Sequence, residues 1–310
     1  MFCYTYHPYR IRFESEVAFP ELEKNGNGEI EIGRLVFRKG RFPVTGWKKK
    51  RRFQGFLYRW KPEHGVAFIS AQKGGVFRID LDQGLVHHQR PRHGQVSDEL
   101  IRNVITGRIA GFFLSHLRSL LVFHAFFLLI KGKGVGFLGA SRQGKSTLGT
   151  SFLDAQTPLL SDDLGIVQKK KGRFVLLPGL QEIRLWPSAA RRLVPHHLEG
   201  RLVFPETYKK KFNPQSFFDW KWKEPVYPHC FYILSRKRGG NINISSLSKQ
   251  EALMKLLEYL YNPIVLRSKV LGQNFKMAAE FVQKVPVKLL SYPAGFNRLR
   301  EVRRSILQDL

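Results

Sequence analysis

Apolar positions follow two regimes along this 310-residue chain. In its first third they come as short runs, over residues 9–13, 29–37, 53–60, 66–69 and 76–81, separated by glycine-bearing turns such as Asn25-Gly26-Asn27-Gly28 and Gly74-Gly75. Runs of that length between turn residues predict strands. From Ser97-Asp98-Glu99, a helix-start signature, the period changes. Ile101, Val104, Ile105, Ile109, Phe112, Phe113 and Leu117 recur at helical spacing and read as core packing rather than a cofactor box. Further on, apolar runs over 158–161, 166–168, 174–177 and 231–234 read as strands. Ser248-x-x-Glu251 is a capping box opening a helix through Leu260 that stops near Pro263. Helical stretches near 275–283 and 298–307 complete the pattern. It predicts a β-rich module over residues 1–95, for docking or substrate recognition, followed by an α/β domain over 96–310.

Inside the second domain lies the motif that carries chemistry. Val135-Gly136-Phe137-Leu138 reads as a buried strand. Gly139-Ala140-Ser141-Arg142-Gln143-Gly144-Lys145-Ser146-Thr147 follows and fits the phosphate-binding loop G-x-x-x-x-G-K-[ST] without a mismatch. Glycines at both ends let the backbone turn its N–H groups onto phosphate oxygens. Lys145 adds a point charge toward the β- and γ-phosphates, and the Ser146 hydroxyl suits Mg²⁺. Residues 147–153 continue as a helix. A strand over 158–161 then returns Asp162 and Asp163 beside the loop. One carboxylate of the pair suits the metal and the other the proton of an attacking hydroxyl, the needs of phosphoryl transfer. The cofactors expected are ATP and Mg²⁺.

This arrangement resembles the catalytic domain of the HPr kinase/phosphorylase family and its HPr-kinase-like serine-kinase relatives, including kinases of peptide-tailoring pathways. The resemblance runs from about Leu121 to Val167 through His124-Ala125, Lys131-Gly132-Lys133-Gly134-Val135-Gly136-Phe137-Leu138-Gly139, the loop, and Leu159-Leu160-Ser161-Asp162-Asp163. It implies a P-loop, HPr-kinase-like (PEP-carboxykinase-like) α/β fold. It also implies Asp162 on the metal side with Ser146, Asp163 as catalytic base, and His124, on the strand before the loop, tuning the pair. A second match, Leu177-Pro178-Gly179 through Arg184-Leu185-Trp186-Pro187, turns Arg184 or Glu182 toward the phosphates or the metal. The opening, Tyr9 to Glu16 and Phe19-Pro20-Glu21-Leu22, is similar to the same branch. Arg142 stands where the family has a mid-loop glycine. The arginine-glycine signature and Pro/Arg-rich loop of HPr kinases are not recognisable, so the resemblance carries a hydroxyl-directed kinase without HPr as its acceptor. Family members form hexamers, which makes a homo-oligomer the expectation it brings.

Composition bounds the remainder. Two cysteines, Cys3 and Cys230, exclude a disulfide framework and fit a reducing cytosol. No signal peptide is visible, and the longest apolar stretch, 120–130, is broken by His124 and too short to span a bilayer. The expectation is a soluble, cytoplasmic protein with no transmembrane segment. Fifty-two basic residues against twenty-four acidic ones leave a net charge of +28. Such a field attracts an acidic protein, nucleic acid or an anionic surface. The basic runs at 48–52, 169–171 and 209–211 are dispersed with no nucleic-acid motif beside them, which favours a general bias over a dedicated site. His87, His88 and His93 lack companions for zinc, and His196-His197 splay apart. The aromatic-basic segment 212–223, with Phe217, Phe218, Trp220 and Trp222, reads as a loop or lid over the site. The first functional reading is a kinase of serine on a protein or peptide. A kinase of a small molecule or nucleic-acid end, and an ATP-dependent nucleic-acid-binding switch, are the alternatives.

Overall fold

The short apolar runs become strands in a computed structural model of the protein. It describes residues 2–6, 9, 11–19, 33–43, 49–53, 56–61, 65–71, 74–91, 96–117, 120–204, 207–214, 218, 220, 225–261 and 268–310. The turn at Asn25–Gly28, the start of the 29–37 run, the segment Pro20-Glu21-Leu22, Lys48, His93, Phe217, Trp222 and the helix stop at Pro263 lie outside the described residues. The fold is mixed α/β with several sheets. The chain divides into two compact units, Met1–Arg118 with Asn262–Leu271, and Ser119–Tyr261 with Gly272–Leu310. Residues 96–117 therefore group with the first unit, whereas the sequence pattern drew its line at 95.

The first unit holds β1 (Phe2–Tyr6), β2 (Ile11–Ser15), β3 (Gly33–Lys39), β4 (Lys49–Phe53), β5 (Phe56–Lys61), β6 (Val66–Ala71), β7 (Gly75–Asp80) and β8 (Leu85–Gln89). They form one sheet in the order β1-β2-β3-β8-β7-β6-β5-β4. The run 53–60, expected as one strand, is instead a reversal, with Phe53 opposite Phe56 across an antiparallel pair. β8 has no counterpart among the strands read from sequence. It buries His88 between Phe77 and Phe37, with Nε2 2.7 Å from the Gly74 carbonyl, so this histidine is a core residue. The helical stripe covers the sheet as α1 (Asp98–Asn103) and α2 (Ala110–Leu114), joined by a π-helical segment, Val104–Ile109. Ser97 caps it, its hydroxyl accepting from the Leu100 N–H. A continuous α-helix was the expectation. The π segment lets Val104, Ile105, Thr106, Gly107 and Ile109 all be buried, more than an α-helical stripe would place inside.

In the second unit the apolar stretch 120–130 splits at His124 into β9 (Leu120–Phe123) and β10 (Ala125–Ile130). His124 is thus at a bend, not within a strand as the resemblance implied. The cause is a change of sheet: β9 pairs with β13 (Gly165–Lys170) and β10 with β11 (Lys133–Leu138) and β12 (Leu159–Asp162). The six-stranded sheet runs β12-β10-β11-β18-β20-β19, with β18 Pro228–Lys237, β19 Asn243–Ser246 and β20 Val287–Pro293. A three-stranded sheet runs β14-β13-β9, with β14 Arg173–Leu177, and another β15-β17-β16, from Ile183–Leu185, Lys210–Phe212 and Arg201–Leu202. Side chains alternate across β10. Phe126, Leu128 and Ile130 join a core with α3 (Lys145–Thr150), α4 (Pro187–Leu193) and α7 (Leu299–Asp309), while Ala125 and Phe127 join a second core with α5 (Lys249–Glu258) and α6 (Ser268–Lys284). Covered on both faces, β10 and β11 need the near-continuous apolar runs they have. The capping box at Ser248 and Glu251 is present in full.

Helix α3 must lie close on β10 for the loop before it to be held. Gly149 provides the approach, since a Cβ there would sit 2.3 Å from Phe126 Cδ1. Ala is normally the better helix residue by ~1 kcal/mol. Gly149→Ala is nevertheless expected to lower stability by ~1–3 kcal/mol through overpacking, read as a lower urea midpoint. A raised midpoint would mean that α3 does not rest on this ring.

Candidate active site

Strand registers bring the motif residues to one edge of the six-stranded sheet. β11 and β18 run parallel, with Leu138 beside Ile233, and β18 and β20 run parallel, with Arg236 beside Tyr292. β10 runs the other way, so that its first residue, Ala125, faces Leu138 at the end of β11. β12, antiparallel to β10, ends with Asp162 opposite Phe126. The His124 bend, the loop after β11, the Asp162-Asp163 pair, Arg236 and Tyr292 therefore share the carboxyl edge of the parallel strands. Open α/β sheets commonly bind ligands at that edge.

The loop turns through Gly139 to Gly144 into α3. Gly144 has φ 91°, and a Cβ there would also strike the Tyr292 hydroxyl at 2.6 Å. Arg142, the departure from the family's glycine, occupies the left-handed region with φ 68°. Gln143 anchors the loop to two strands: its carbonyl accepts from the Tyr292 hydroxyl at 2.6 Å, and its side-chain oxygen accepts from the Arg236 N–H at 2.6 Å. Lys145 is buried and folded back, its Nζ donating to the carbonyls of Gly139 at 2.7 Å and Ala140 at 3.2 Å. Burial pulls its ammonium down to about 8, against the pull of Asp162 and Asp163.

The carboxylates part company. Asp162 is buried at the end of β12. Its Oδ1 accepts from the Ser146 hydroxyl at 3.0 Å and its Oδ2 from the Arg184 N–H at 2.9 Å. Desolvation pushes its carboxyl above the ordinary value. Asp163 is left-handed, with φ 77°. Burial alone would raise it too, but the Arg184 guanidinium at 2.6 Å and His124 Nδ1 at 3.0 Å hold it well below the usual carboxylate range. No group of three or more His, Cys, Asp or Glu side chains suited to a metal occurs among the described residues. One carboxylate and one hydroxyl, however, are the donor set Mg²⁺ takes when water and phosphate oxygens supply the rest. Asp162, buried and contacted by neutral donors, fits a cation.

A cavity of about 620 Å³ opens on this edge. Ser141, Arg142, Gly144, Lys145, Ser146 and Thr147 line it from the loop, while Gly139, Ala140 and Gln143 are not among its lining residues. His124 and Arg184 reach it; the two aspartates lie just behind them. Arg191, Lys209, Arg236, Tyr292 and Phe296 were not singled out from the sequence as site residues, yet all border it. Lys209 belongs to the 209–211 run, which reads in sequence as general basic bias, whereas Lys211 of the same run is buried against Glu182, 3.5 Å away. Tyr292 carries no local signal, because its partner is 149 residues distant. Trp220, proposed for a loop or lid, is instead part of the core: it is buried, stacked on Phe218, and donates to the Asp154 carbonyl at 2.8 Å.

No protein-family model matches the chain, and no characterised protein matches it in sequence. Among solved structures it is similar to the Hpr(Ser) kinase/phosphatase from Coxiella burnetii, at 14% identity and a TM-score of 0.32, over 60% of this chain and 91% of that one. A likeness that slight supports no functional inference. Among the described residues, no helix is long and apolar enough to cross a membrane.

The Arg184–Asp163 pair has a pH signature. Because the folded carboxyl lies below its ordinary 3.8, its stabilisation is complete above that value and drains away as pH falls through the depressed one. Arg184→Met is expected to cost ~3 kcal/mol near neutrality, with the deficit shrinking toward zero in strong acid. Urea unfolding of both proteins across that range measures it, and a pH-independent deficit would contradict the pairing.

Proposed function

We propose that the second unit is a P-loop, HPr-kinase-like phosphotransferase that moves a phosphoryl group from ATP to a hydroxyl, that of serine on a protein or peptide. The observation that carries this reading is the 3.0 Å hydrogen bond from Ser146 of the phosphate-binding loop to Asp162, with Asp163 adjacent. It joins a triphosphate cradle to a metal-side carboxylate and a base at one cavity.

In this reading the loop N–H groups and Lys145 would hold the phosphates, and Ser146 with Asp162 would hold Mg²⁺, which would screen the charge of the transferring group. Lys145 would leave the Gly139 and Ala140 carbonyls for the phosphates. The acceptor oxygen attacks the γ-phosphorus, the bond to the bridging oxygen breaks, and ADP departs. Asp163 takes the hydroxyl proton. Its carboxylate is held in the ionised form that can accept one, and Arg184, which both grips it and lines the cavity, can exchange it for a phosphate oxygen. His124 keeps Asp163 oriented through Nδ1.

Purified protein with Mg²⁺ and γ-labelled ATP should label serine in a pool of polypeptides. Asp163→Asn should lower turnover by ~10²–10⁴-fold while nucleotide still binds. Label that persists at the wild-type rate would remove Asp163 from the base role, and absence of nucleotide binding would end the reading.

Lys145 gives a second test. Bound phosphates restore its charge, so below about pH 8 it enters binding already protonated and affinity is flat. Above that value binding must take up a proton, and affinity for ATP should fall by up to about tenfold per pH unit. Titration calorimetry at about pH 7 and about pH 9.5 measures the fall, which Lys145→Met should abolish.

A further inference from the structure

The charge around the cavity exceeds what a nucleotide needs. Six of its lining side chains are cationic, Arg142, Lys145, Arg184, Arg191, Lys209 and Arg236, and none is a carboxylate. Arg184 is matched by Asp163, and Lys145 is tied to loop carbonyls beneath. The other four have no carboxylate within ion-pair distance among the described residues. Arg142 lies over the half-open Trp186 ring, 5.9 Å from its centre. Arg191, on α4, and Arg236, near the end of β18, are exposed, and Lys209, just before β17, is half-buried. Lys209 is near enough to Asp162 and Asp163 to pull both carboxyls downward, so the unmatched cations are Arg142, Arg191 and Arg236, on three separate elements.

Like charges gathered on one concave surface repel one another and raise the local concentration of anions. A triphosphate with a divalent cation already bound is partly neutralised and meets Lys145 and the loop N–H groups first. Resting on the kinase reading, we infer that Arg191 and Arg236 select the acceptor, and that it is a serine within an acidic stretch of polypeptide. Exposed arginines from two elements lining one cavity suit an extended chain bearing carboxylates, and repel a basic one. Their exposure also makes the selection sensitive to salt, since exposed charges more than about 8 Å apart are largely screened at physiological ionic strength.

Binding is read apart from transfer. Fluorescent serine peptides flanked by Glu, by Gln or by Lys are titrated, by polarisation, into the full chain, alone and with Mg²⁺ and a non-hydrolysable ATP analogue. The Glu peptide should bind at least about tenfold more tightly than the Lys peptide, with the gap closing in high salt. The double variant Arg191→Glu, Arg236→Glu should reverse the order, and Arg191→Lys with Arg236→Lys should keep it. Circular dichroism and the thermal midpoint check that each variant folds. Equal affinity for the three peptides, or no binding of the Glu peptide, overturns the inference even if nucleotide binds. Failure of the analogue to bind while the Glu preference stands would instead overturn the kinase reading and leave an acidic-peptide site.

Discussion

Two carboxylates on consecutive residues, Asp162 buried and Asp163 partly so, set the terms for the rest of the second unit. Removing each from water costs several kcal/mol after relaxation, and their mutual repulsion adds to that. The fold meets the problem by sending them opposite ways. Asp162 ends β12 with its side chain among a hydroxyl and a backbone N–H, both neutral donors, so burial leaves it ready for a cation. Asp163 breaks out of the strand into a left-handed conformation and meets Arg184 and His124. The two groups thus acquire different proton affinities from different surroundings, the condition under which neighbouring acids take separate tasks.

The same division explains the loop. Its anchor is Gln143, whose carbonyl and side chain bind the ends of β20 and β18, and those strands reach the edge because both run parallel to β11. The loop is therefore fixed from its middle by long-range contacts as well as from its ends by Gly139 and α3. Lys145 can rest on its own carbonyls without collapsing the cradle, because the backbone is held elsewhere.

What could be read from the sequence was local. The strand before the loop, the glycines, Ser146 and the return to Asp162-Asp163 are linked by short connections, and local pattern fixes them. His124 could be named as a neighbour of the pair but not placed at a bend, because the apolar stretch 120–130 gives no sign that its halves join different sheets. β8, β19 and β20 escaped for a related reason. Leu85–Gln89 and Asn243–Ser246 are too polar to stand out, and Val287–Pro293 follows a helix after only Val285-Pro286 and mixes Lys288 and Ser291 with its apolar residues. Tyr292, Arg236 and Lys209 come to the cavity by strand order, which no window of sequence contains.

Backbone conformation separates turns made by local demand from turns made for the site. Among the described residues, four other than glycine have positive φ: Lys131, Arg142, Asp163 and Lys171. Lys131 and Lys171 each precede a glycine that also has positive φ, in two-residue connections between antiparallel strands, where the twist of the hairpin asks for that geometry at both positions. Arg142 and Asp163 answer no such demand. Each would relax at the gain of ~1 kcal/mol or more if its surroundings allowed. Arg142 is kept in place by the Gln143 anchors that follow it and by Trp186 beneath its guanidinium; Asp163 by a two-sided grip on its carboxylate. Hairpin geometry would survive the loss of any one distant contact. The conformations at 142 and 163 depend on such contacts, and they occur where the loop meets the carboxylate pair, joined by the hydrogen bond from Ser146 to Asp162.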